Sequence, residues 1–159
     1  MNEPEWAITG SSKYPGDDAF TPIAECDPVT HAQMETFLLE LGRALRDEGD
    51  ALISVGSAAM KWRNAWSGLD LDFHQFHIYN WVNPSWPYSR SPADYGLTDK
   101  PVVWGEVPHT GLAGADLPTL LGSWFGNGYA GALSWAYSND VDLRSTRNFA
   151  AQNACQTRY

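Results

Sequence analysis

Residues 101–107 read PVVWGEV and are the clearest strand signal in the chain. They lie between a turn-like Asp99-Lys100 pair and the breaker Pro108. A continuous apolar run, rather than an alternating one, is typical of a parallel strand that is buried on both faces. The run carries one carboxylate, Glu106, and a buried carboxylate costs free energy unless it has partners or a task. Because catalytic groups of parallel barrels lie at the C-terminal ends of strands, Glu106 is the first candidate catalytic residue.

Strands and helices are predicted to alternate along the rest of the chain. We predict strands at residues 51–57, 69–79, 101–107 and 129–137. Apolar residues at helical spacing predict one helix from a cap at Asp27 and Pro28 to Gly49, and another from Asp116 to Gly126. This order is the βα pattern of a parallel sheet, so the predicted fold class is α/β with right-handed crossovers.

The remaining segments are predicted to be irregular. Residues 5–27 and 80–100 are rich in turn-forming residues and are predicted to be loops. Residues 58–66 are predicted to form a short helix or a loop, and residues 138–159 a polar tail or weak helix. We expect residues 1–159 to form one domain.

Five short motifs follow one another along the chain. They are Asn2-Glu3-Pro4, Val55-Gly56-Ser57, His77-Ile78-Tyr79, Gly105-Glu106 and Leu133-Ser134-Trp135. In this order they resemble the strand ends of clan A retaining glycoside hydrolases, most closely glycoside hydrolase family 5, which holds cellulases and mannanases on (β/α)8 barrels. The resemblance spans nearly the whole chain, from the end of the fourth barrel strand to the eighth strand. The resemblance does not extend to the part of the family that precedes Asn-Glu-Pro.

The resemblance implies a pair of catalytic carboxylates. Retaining hydrolysis needs one ionised carboxylate as nucleophile and one protonated carboxyl group as acid and then base, about 5–5.5 Å apart. By resemblance Glu106 is the nucleophile and Glu3 the acid/base residue. Asn2 resembles the family residue that donates a hydrogen bond to the sugar 2-hydroxyl.

Three further residues are predicted to bind substrate. His77 and Tyr79 are two positions apart, so on a strand both face the same side, and Tyr79 would then reach Glu106. Trp135 would offer a flat face on which a pyranose ring can stack. Five other tryptophans are interpreted as packing residues, namely Trp62, Trp66, Trp81, Trp86 and Trp104.

The length of the chain bounds the architecture. The chain has 159 residues, whereas a complete (β/α)8 barrel takes about 250. The resemblance therefore implies half of a TIM barrel with open strand edges, and such edges invite another chain. We expect either that a homodimer supplies eight strands or that the chain lacks an N-terminal half-barrel that would close it.

Two functions are predicted from these residues. The first is a retaining glycoside hydrolase that acts on β-1,4-linked glucan or mannan, without a cofactor, and weakly or not at all unless a partner chain completes it. The alternative is a catalytically silent half-barrel, a truncated glycosidase fragment that serves as a structural or sugar-binding module.

Composition excludes other functions. The net charge of −9 and the lack of Lys/Arg clusters argue against nucleic acid as a partner. Neither a signal peptide pattern nor an apolar run long enough for a membrane span is present, which predicts no membrane partner and leaves the localisation open between an intracellular chain and one whose beginning is missing. Members of the resembled family are often secreted. Cys26 and Cys155 permit one disulfide at most.

A metal site is not expected. Asp70, Asp72, His74 and His77 are close in sequence, but alternate strand residues point to opposite faces and cannot all converge on one ion. His31, on a predicted helix, and His109 are interpreted as surface residues.

Overall fold

Strands and helices alternate along the chain in a computed structural model that describes residues 1–24, 27–80 and 90–135, together with residues 148 and 152. The contacts divide the chain into two compact units, Met1–His77 and Ile78–Tyr159. The prediction of a single domain stays a prediction, and the two units are described in turn.

The first unit contains two pairs of parallel strands and one long helix. Strand β1 (Ile8–Thr9) pairs with β2 (Val29–Thr30). Helix α1 (His31–Glu48) follows, and then β3 (Gly56–Ser57) pairs in parallel with β4 (His74–His77). Within the predicted loop 5–27, the structure has β1 and a 3-10 helix, Pro4–Ala7.

Helix α1 begins later than the sequence predicted. Its cap is Thr30, whose hydroxyl accepts a hydrogen bond from the Gln33 backbone N–H, while the Gln33 side chain returns to the Thr30 backbone. The predicted start at Asp27 and Pro28 was wrong, because the intervening Val29–Thr30 is held as a strand against β1. A reciprocal capping box of this kind satisfies two backbone donors that a helix start otherwise leaves open.

All of the buried residues of α1 lie in its first half. His31, Met34, Glu35 and Leu38 are buried. Three other apolar residues of the helix are more exposed: Phe37 beside Leu38 is 54% exposed, and Leu41 and Leu45 in the second half are 37% and 48% exposed. The apolar face that the sequence pattern identified is therefore only partly covered within this chain.

The N-terminal half of α1 packs against aromatic side chains. His31 stacks on Phe20, which stacks on Trp62. The His31 ring also lies 5.4 Å from the Trp66 ring, and its Nε2 lies 2.8 Å from the Ala65 carbonyl oxygen. His31 is therefore a core residue, and its interpretation as a surface residue was wrong because the helix face it shares with Met34 points inward.

A buried carboxylate on α1 ties down the loop before it. Glu35 accepts hydrogen bonds from Lys13 Nζ at 2.5 Å and from Tyr14 Oη at 2.7 Å. Burial raises the pKa of the Glu35 carboxyl group, but these two donors outweigh burial and lower that pKa below its ordinary value. The ion pair is therefore part of the packing that closes the loop over α1.

Substitution of Gly68 should destabilise this part of the protein. A Cβ at Gly68 would lie 2.1 Å from Tyr14 Oη and 2.6 Å from Glu35 Oε1. We expect Gly68→Ala to lower the free energy of unfolding by about 1–3 kcal/mol, because the hydrogen-bonded pair must move. Urea unfolding measures this effect.

Gly42 provides the matched control, because it lies within α1 and a Cβ there meets nothing within 4 Å. Gly42→Ala should stabilise the protein by about 0.5–1 kcal/mol, since alanine favours helix. Equal unfolding free energies for the two variants would contradict this account of the packing.

The second unit repeats the parallel strand pattern. Strand β5 (Val102–Pro108) pairs in parallel with β6 (Gly131–Trp135), and helix α2 (Leu117–Gly126) connects them. Asp116 caps α2 by accepting a hydrogen bond from the Thr119 backbone N–H. The predicted strand at 101–107 and the predicted helix from Asp116 to Gly126 are confirmed.

Aromatic stacking joins these elements. The Trp104 ring of β5 lies 5.5 Å from that of Trp124 in α2 and 5.0 Å from that of Tyr129. All three side chains are almost completely buried, and burial raises the pKa of the Tyr129 hydroxyl well above its ordinary value. Trp104 is thus a packing residue, as interpreted from the sequence.

The other predicted elements are shorter in the structure or fall outside the described part. The strands predicted at 51–57 and 69–79 are reduced to Gly56–Ser57 and His74–His77. Within the predicted loop 80–100 there is a 3-10 helix, Pro92–Tyr95, and within 58–66 another, Met60–Trp62. Cys26, Cys155, Trp81 and Trp86 lie outside the described residues, as does nearly all of the tail 138–159. Among the described helices, none has the length and apolar character needed to cross a bilayer.

Candidate functional site

In the first unit, the candidate acid/base residue is held beside strand β3. Asn2 forms a parallel bridge with Gly56. The Gly56 backbone N–H donates to the Met1 carbonyl oxygen at 3.0 Å, and the Glu3 N–H donates to the Gly56 carbonyl oxygen at 2.6 Å. Glu3 therefore follows one residue of strand-like backbone, and β3 fixes its position although little chain precedes it.

Both carboxylate oxygens of Glu3 have partners. Oε1 lies 2.8 Å from His77 Nδ1, and Oε2 accepts a hydrogen bond from Trp6 Nε1 at 2.9 Å. Trp6 belongs to the 3-10 helix Pro4–Ala7 and packs edge-on against Trp62, with ring centroids 5.3 Å apart. Glu3 is thereby held in one orientation by two rings from different parts of this unit.

Gly56 lies where the polar groups around Glu3 meet. A Cβ built on Gly56 would be 3.0 Å from Asn2 Oδ1, 3.1 Å from His77 Nε2 and 3.2 Å from Gln75 Nε2. The His77 ring is completely buried. Asn2, Glu3 and His77, predicted as site residues from the sequence, are therefore brought together around the start of β3.

A second carboxylate in this unit, Glu5, follows Glu3 by two residues. Its Oε1 accepts hydrogen bonds from Ser57 Oγ at 2.6 Å and Trp66 Nε1 at 2.7 Å, and its Oε2 accepts one from the Ala58 N–H at 3.1 Å. The side chain is fully buried, and burial raises the pKa of the Glu5 carboxyl group against the opposing effect of these donors.

In the second unit, the candidate nucleophile lies in β5. Glu106 is 8% exposed, and its Oε2 accepts a hydrogen bond from Tyr79 Oη at 2.8 Å. Its carbonyl oxygen accepts a backbone hydrogen bond from Ile78 at 3.0 Å. Tyr79 and Glu106 are therefore in direct contact, while their catalytic roles stay predictions.

The candidate sugar platform lies at the end of the neighbouring strand. Trp135 is the last residue of β6 and is opposite Pro108, two residues beyond Glu106 in β5. Its side chain is 55% exposed, and its carbonyl oxygen lies 3.3 Å from His109 Nδ1. An indole this exposed has a face available for stacking.

The acidic residues that were weighed as metal ligands have other contacts. Asp72 accepts hydrogen bonds from Arg46 Nη2 at 2.7 Å and from the Ile53 backbone N–H at 2.6 Å. Asp70 lies 4.0 Å from Arg46 Nε. These two carboxylates therefore tie the end of α1 to the segment before β3, and the expectation of a metal-free site stays a prediction.

Sequence reasoning missed Trp6, Glu5 and the steric role of Gly56. Trp6 is three residues after Glu3, so a one-turn helix would have placed it over the carboxylate, and Pro4 at the first helical position was a signal for such a turn. Nothing in the local sequence of Glu5 indicates burial, because its three donors come from residues 57–66.

Comparison with solved structures places this geometry in a known fold. The chain superposes on the endo-1,4-beta-mannanase of Eisenia fetida with a TM-score of 0.71 and 23% identity, covering 94% of this chain and 50% of the other. It superposes on the beta-1,4-D-mannanase of Cryptopygus antarcticus with a TM-score of 0.73 and 20% identity, covering 99% of this chain and 51% of the other. It superposes on the beta-mannanase of the blue mussel Mytilus edulis with a TM-score of 0.74 and 23% identity, covering 94% of this chain and 50% of the other.

Comparisons by sequence found no counterpart. No protein-family model matches the chain, and no curated protein matches it. The chain spans about half the length of the solved structures that it resembles. At this level of identity the likeness establishes the fold, which is α/β with parallel strands and corresponds to about half of a TIM-barrel mannanase, as the sequence predicted.

Proposed function

We propose that the chain carries the catalytic residues of a retaining β-glycoside hydrolase that acts on β-1,4-linked mannan. The observation that carries the proposal is the Tyr79 hydrogen bond to Glu106, which supplies a donor to a buried carboxylate at 2.8 Å. A hydrogen bond of this kind fixes the orientation of the Glu106 carboxylate, which a nucleophile needs for attack on the anomeric carbon. The structural neighbours are mannanases, which favours mannan over glucan as the substrate.

The reaction takes two steps. In the first, a Glu106 oxygen forms a bond to the anomeric carbon while the glycosidic bond breaks, and Glu3 gives its proton to the departing oxygen. In the second, Glu3 takes a proton from water, the water oxygen attacks the anomeric carbon, and Glu106 leaves as the carboxylate. The sugar is released with its original configuration, and no cofactor takes part.

The neighbours of each carboxylate support these roles. Trp6 and His77 fix the orientation of Glu3, which must point its proton at the glycosidic oxygen. Asn2, bridged to Gly56, would donate to the sugar 2-hydroxyl, a hydrogen bond that strengthens in the transition state. Trp135 would stack on a mannose ring through its exposed face.

A partner chain is part of the proposal, because a barrel needs about eight strands to enclose its side chains. Phe37, Leu41 and Leu45 on α1 are exposed apolar residues, which supports the proposal that another chain covers this face of the helix. We propose that the other chain is a second copy. Light scattering on a sizing column should give twice the monomer mass of 17.6 kDa, and a monodisperse monomer would contradict the homodimer.

The second candidate function is a catalytically silent half-barrel that binds sugar through Trp135. What favours it is that the chain spans only about half of the mannanases it resembles. Incubation with β-1,4-mannan, with product anomers followed by proton NMR, separates the two candidates. The hydrolase should release the β-anomer first; binding of manno-oligosaccharides without any release of sugar would support the silent module.

The close approach at Gly56 gives a prediction for this site. Gly56→Ala should lower hydrolysis of mannan by about tenfold or more, because the new methyl group displaces Asn2 and His77, and misplacement by a fraction of an ångström costs catalysis. The rate is to be measured together with the unfolding free energy. Gly131→Ala in β6 is the control, since its Cβ would make only ordinary contacts at 3.9 Å; similar activities for both variants would count against the predicted site.

A further inference from the structure

A buried carboxylate that the proposed reaction does not use lies two residues after Glu3. Glu5 is fully buried, and its two oxygens accept three hydrogen bonds from Ser57, Ala58 and Trp66. Burial of a polar group without partners costs free energy, and these three donors offset part of that cost. An apolar side chain would fill the same space and would need no hydrogen-bond partners. The question is therefore which part of the chain the hydrogen bonds of Glu5 hold in place.

The part of the chain that needs to be held is the backbone at Glu3. Glu3 has a φ of 46° and a ψ of 52°, the left-handed region that residues with a Cβ adopt at a cost. Such a conformation persists only where the surroundings fix it. On the N-terminal side the Glu3 N–H is held by the Gly56 carbonyl oxygen. On the C-terminal side Pro4 and Glu5 are buried, and Glu5 is attached to residues just after β3.

We propose that Glu5 is a positioning residue for Glu3, and that its hydrogen bonds to Ser57, Ala58 and Trp66 hold the left-handed turn that directs the Glu3 carboxylate at Trp6 and His77. The inference rests on the proposed role of Glu3 as acid/base. Glu5 contacts neither substrate nor reacting atoms in this account. It acts through the short 3-10 helix Pro4–Ala7, which begins directly after Glu3 and contains both Glu5 and Trp6.

Two indole N–H groups report separately on Glu5 and on Glu3. The Trp66 N–H donates to Glu5, and the Trp6 N–H donates to Glu3. In protein labelled with ¹⁵N-tryptophan, the two resonances are assigned by Trp6→Phe and Trp66→Phe. Glu5→Gln should shift the Trp66 resonance directly, because an amide replaces its carboxylate acceptor. It should also shift the Trp6 resonance and speed hydrogen exchange of that N–H by about tenfold or more, because Glu3 is released.

Controls separate positioning from stability. Glu3→Gln should move the Trp6 resonance and leave that of Trp66 in place. Leu38→Ala, which removes a buried side chain of α1, should lower stability while both indole resonances stay. Ser57→Ala removes one donor to Glu5 and should produce the same Trp6 changes at smaller amplitude. It therefore tests the positioning role of Glu5 if Glu5→Gln does not fold.

The result that would overturn the proposal is a Trp6 resonance and exchange rate equal to those of the unmodified protein in folded Glu5→Gln or Ser57→Ala, with only Trp66 moved. Glu5 would then be a structural residue alone. These measurements need no turnover, so a protein without hydrolase activity would refute the proposed function and still report the coupling between Glu5 and Glu3. In an active protein, Glu5→Gln should lower kcat with KM nearly unchanged.

Discussion

Glu106→Gln should reduce kcat/KM for β-1,4-mannan by about a thousandfold or more, which is the scale on which removal of a nucleophile acts. The amide has nearly the shape of the carboxylate but cannot attack the anomeric carbon. Its oxygen can still accept the hydrogen bond that Tyr79 donates to Glu106 at 2.8 Å, so the fold should be preserved. Reducing-sugar release and a thermal unfolding curve measure the two quantities together.

Tyr79→Phe is the matched variant for this prediction. It keeps the ring and the carboxylate and removes only the hydroxyl donor, so we expect a loss of about 10- to 100-fold, corresponding to one hydrogen bond to a charged group. Hydrolysis that survives Glu106→Gln unaltered would exclude Glu106 as the nucleophile. A larger loss in Tyr79→Phe than in Glu106→Gln would also contradict the assignment.

Glu3→Gln should lower hydrolysis of mannan by about 10²–10⁴-fold, the contribution expected of a general acid and base. The loss should depend on the leaving group. An aryl mannoside whose phenol departs without protonation does not need the acid in the first step, so its glycosylation rate should change by far less. Stopped-flow release of the phenol measures that step.

A glutamine at position 3 can retain both side-chain contacts of Glu3. Its carbonyl oxygen can accept a hydrogen bond from Trp6 Nε1. Its amide can donate to His77 Nδ1, which lies 2.8 Å from Glu3 Oε1, when the His77 ring takes the tautomer that carries its proton on Nε2. The variant therefore removes the transferable proton with little change of geometry. Equal losses for mannan and for the activated aryl mannoside would contradict an acid/base role for Glu3.

The sequence predicted those elements whose signals are local. Strand β5 has a continuous apolar run closed by Pro108, and α2 has Asp116 as cap and Pro118 in its first turn. In β5 and α2, residues that are neighbours in the chain determine the structure. The contact between Tyr79 and Glu106 joins residues 27 positions apart, and it was predicted from the family resemblance and the spacing of His77 and Tyr79.

The features that sequence reasoning missed depend on distant residues. The burial of Glu5 is set by Ser57, Ala58 and Trp66, more than fifty residues away, and no pattern around position 5 indicates it. The start of α1 was misplaced because β1 competes for Val29 and Thr30, a tertiary contact that overrides the helix signal of Pro28. The exposure of Phe37, Leu41 and Leu45 on α1 could not be predicted either, because periodicity identifies an apolar face but not what covers it.

The central claim is that Glu106 forms a covalent bond to the sugar, and trapping that intermediate tests it most directly. A 2-deoxy-2-fluoro-mannoside with a good leaving group slows both steps, since fluorine destabilises the charged transition states, and the intermediate then accumulates. After proteolysis, the account predicts one fluoromannosyl group on the peptide that contains Glu106, and none in Glu106→Gln. A label on another carboxylate, or an unlabelled protein, would contradict the account.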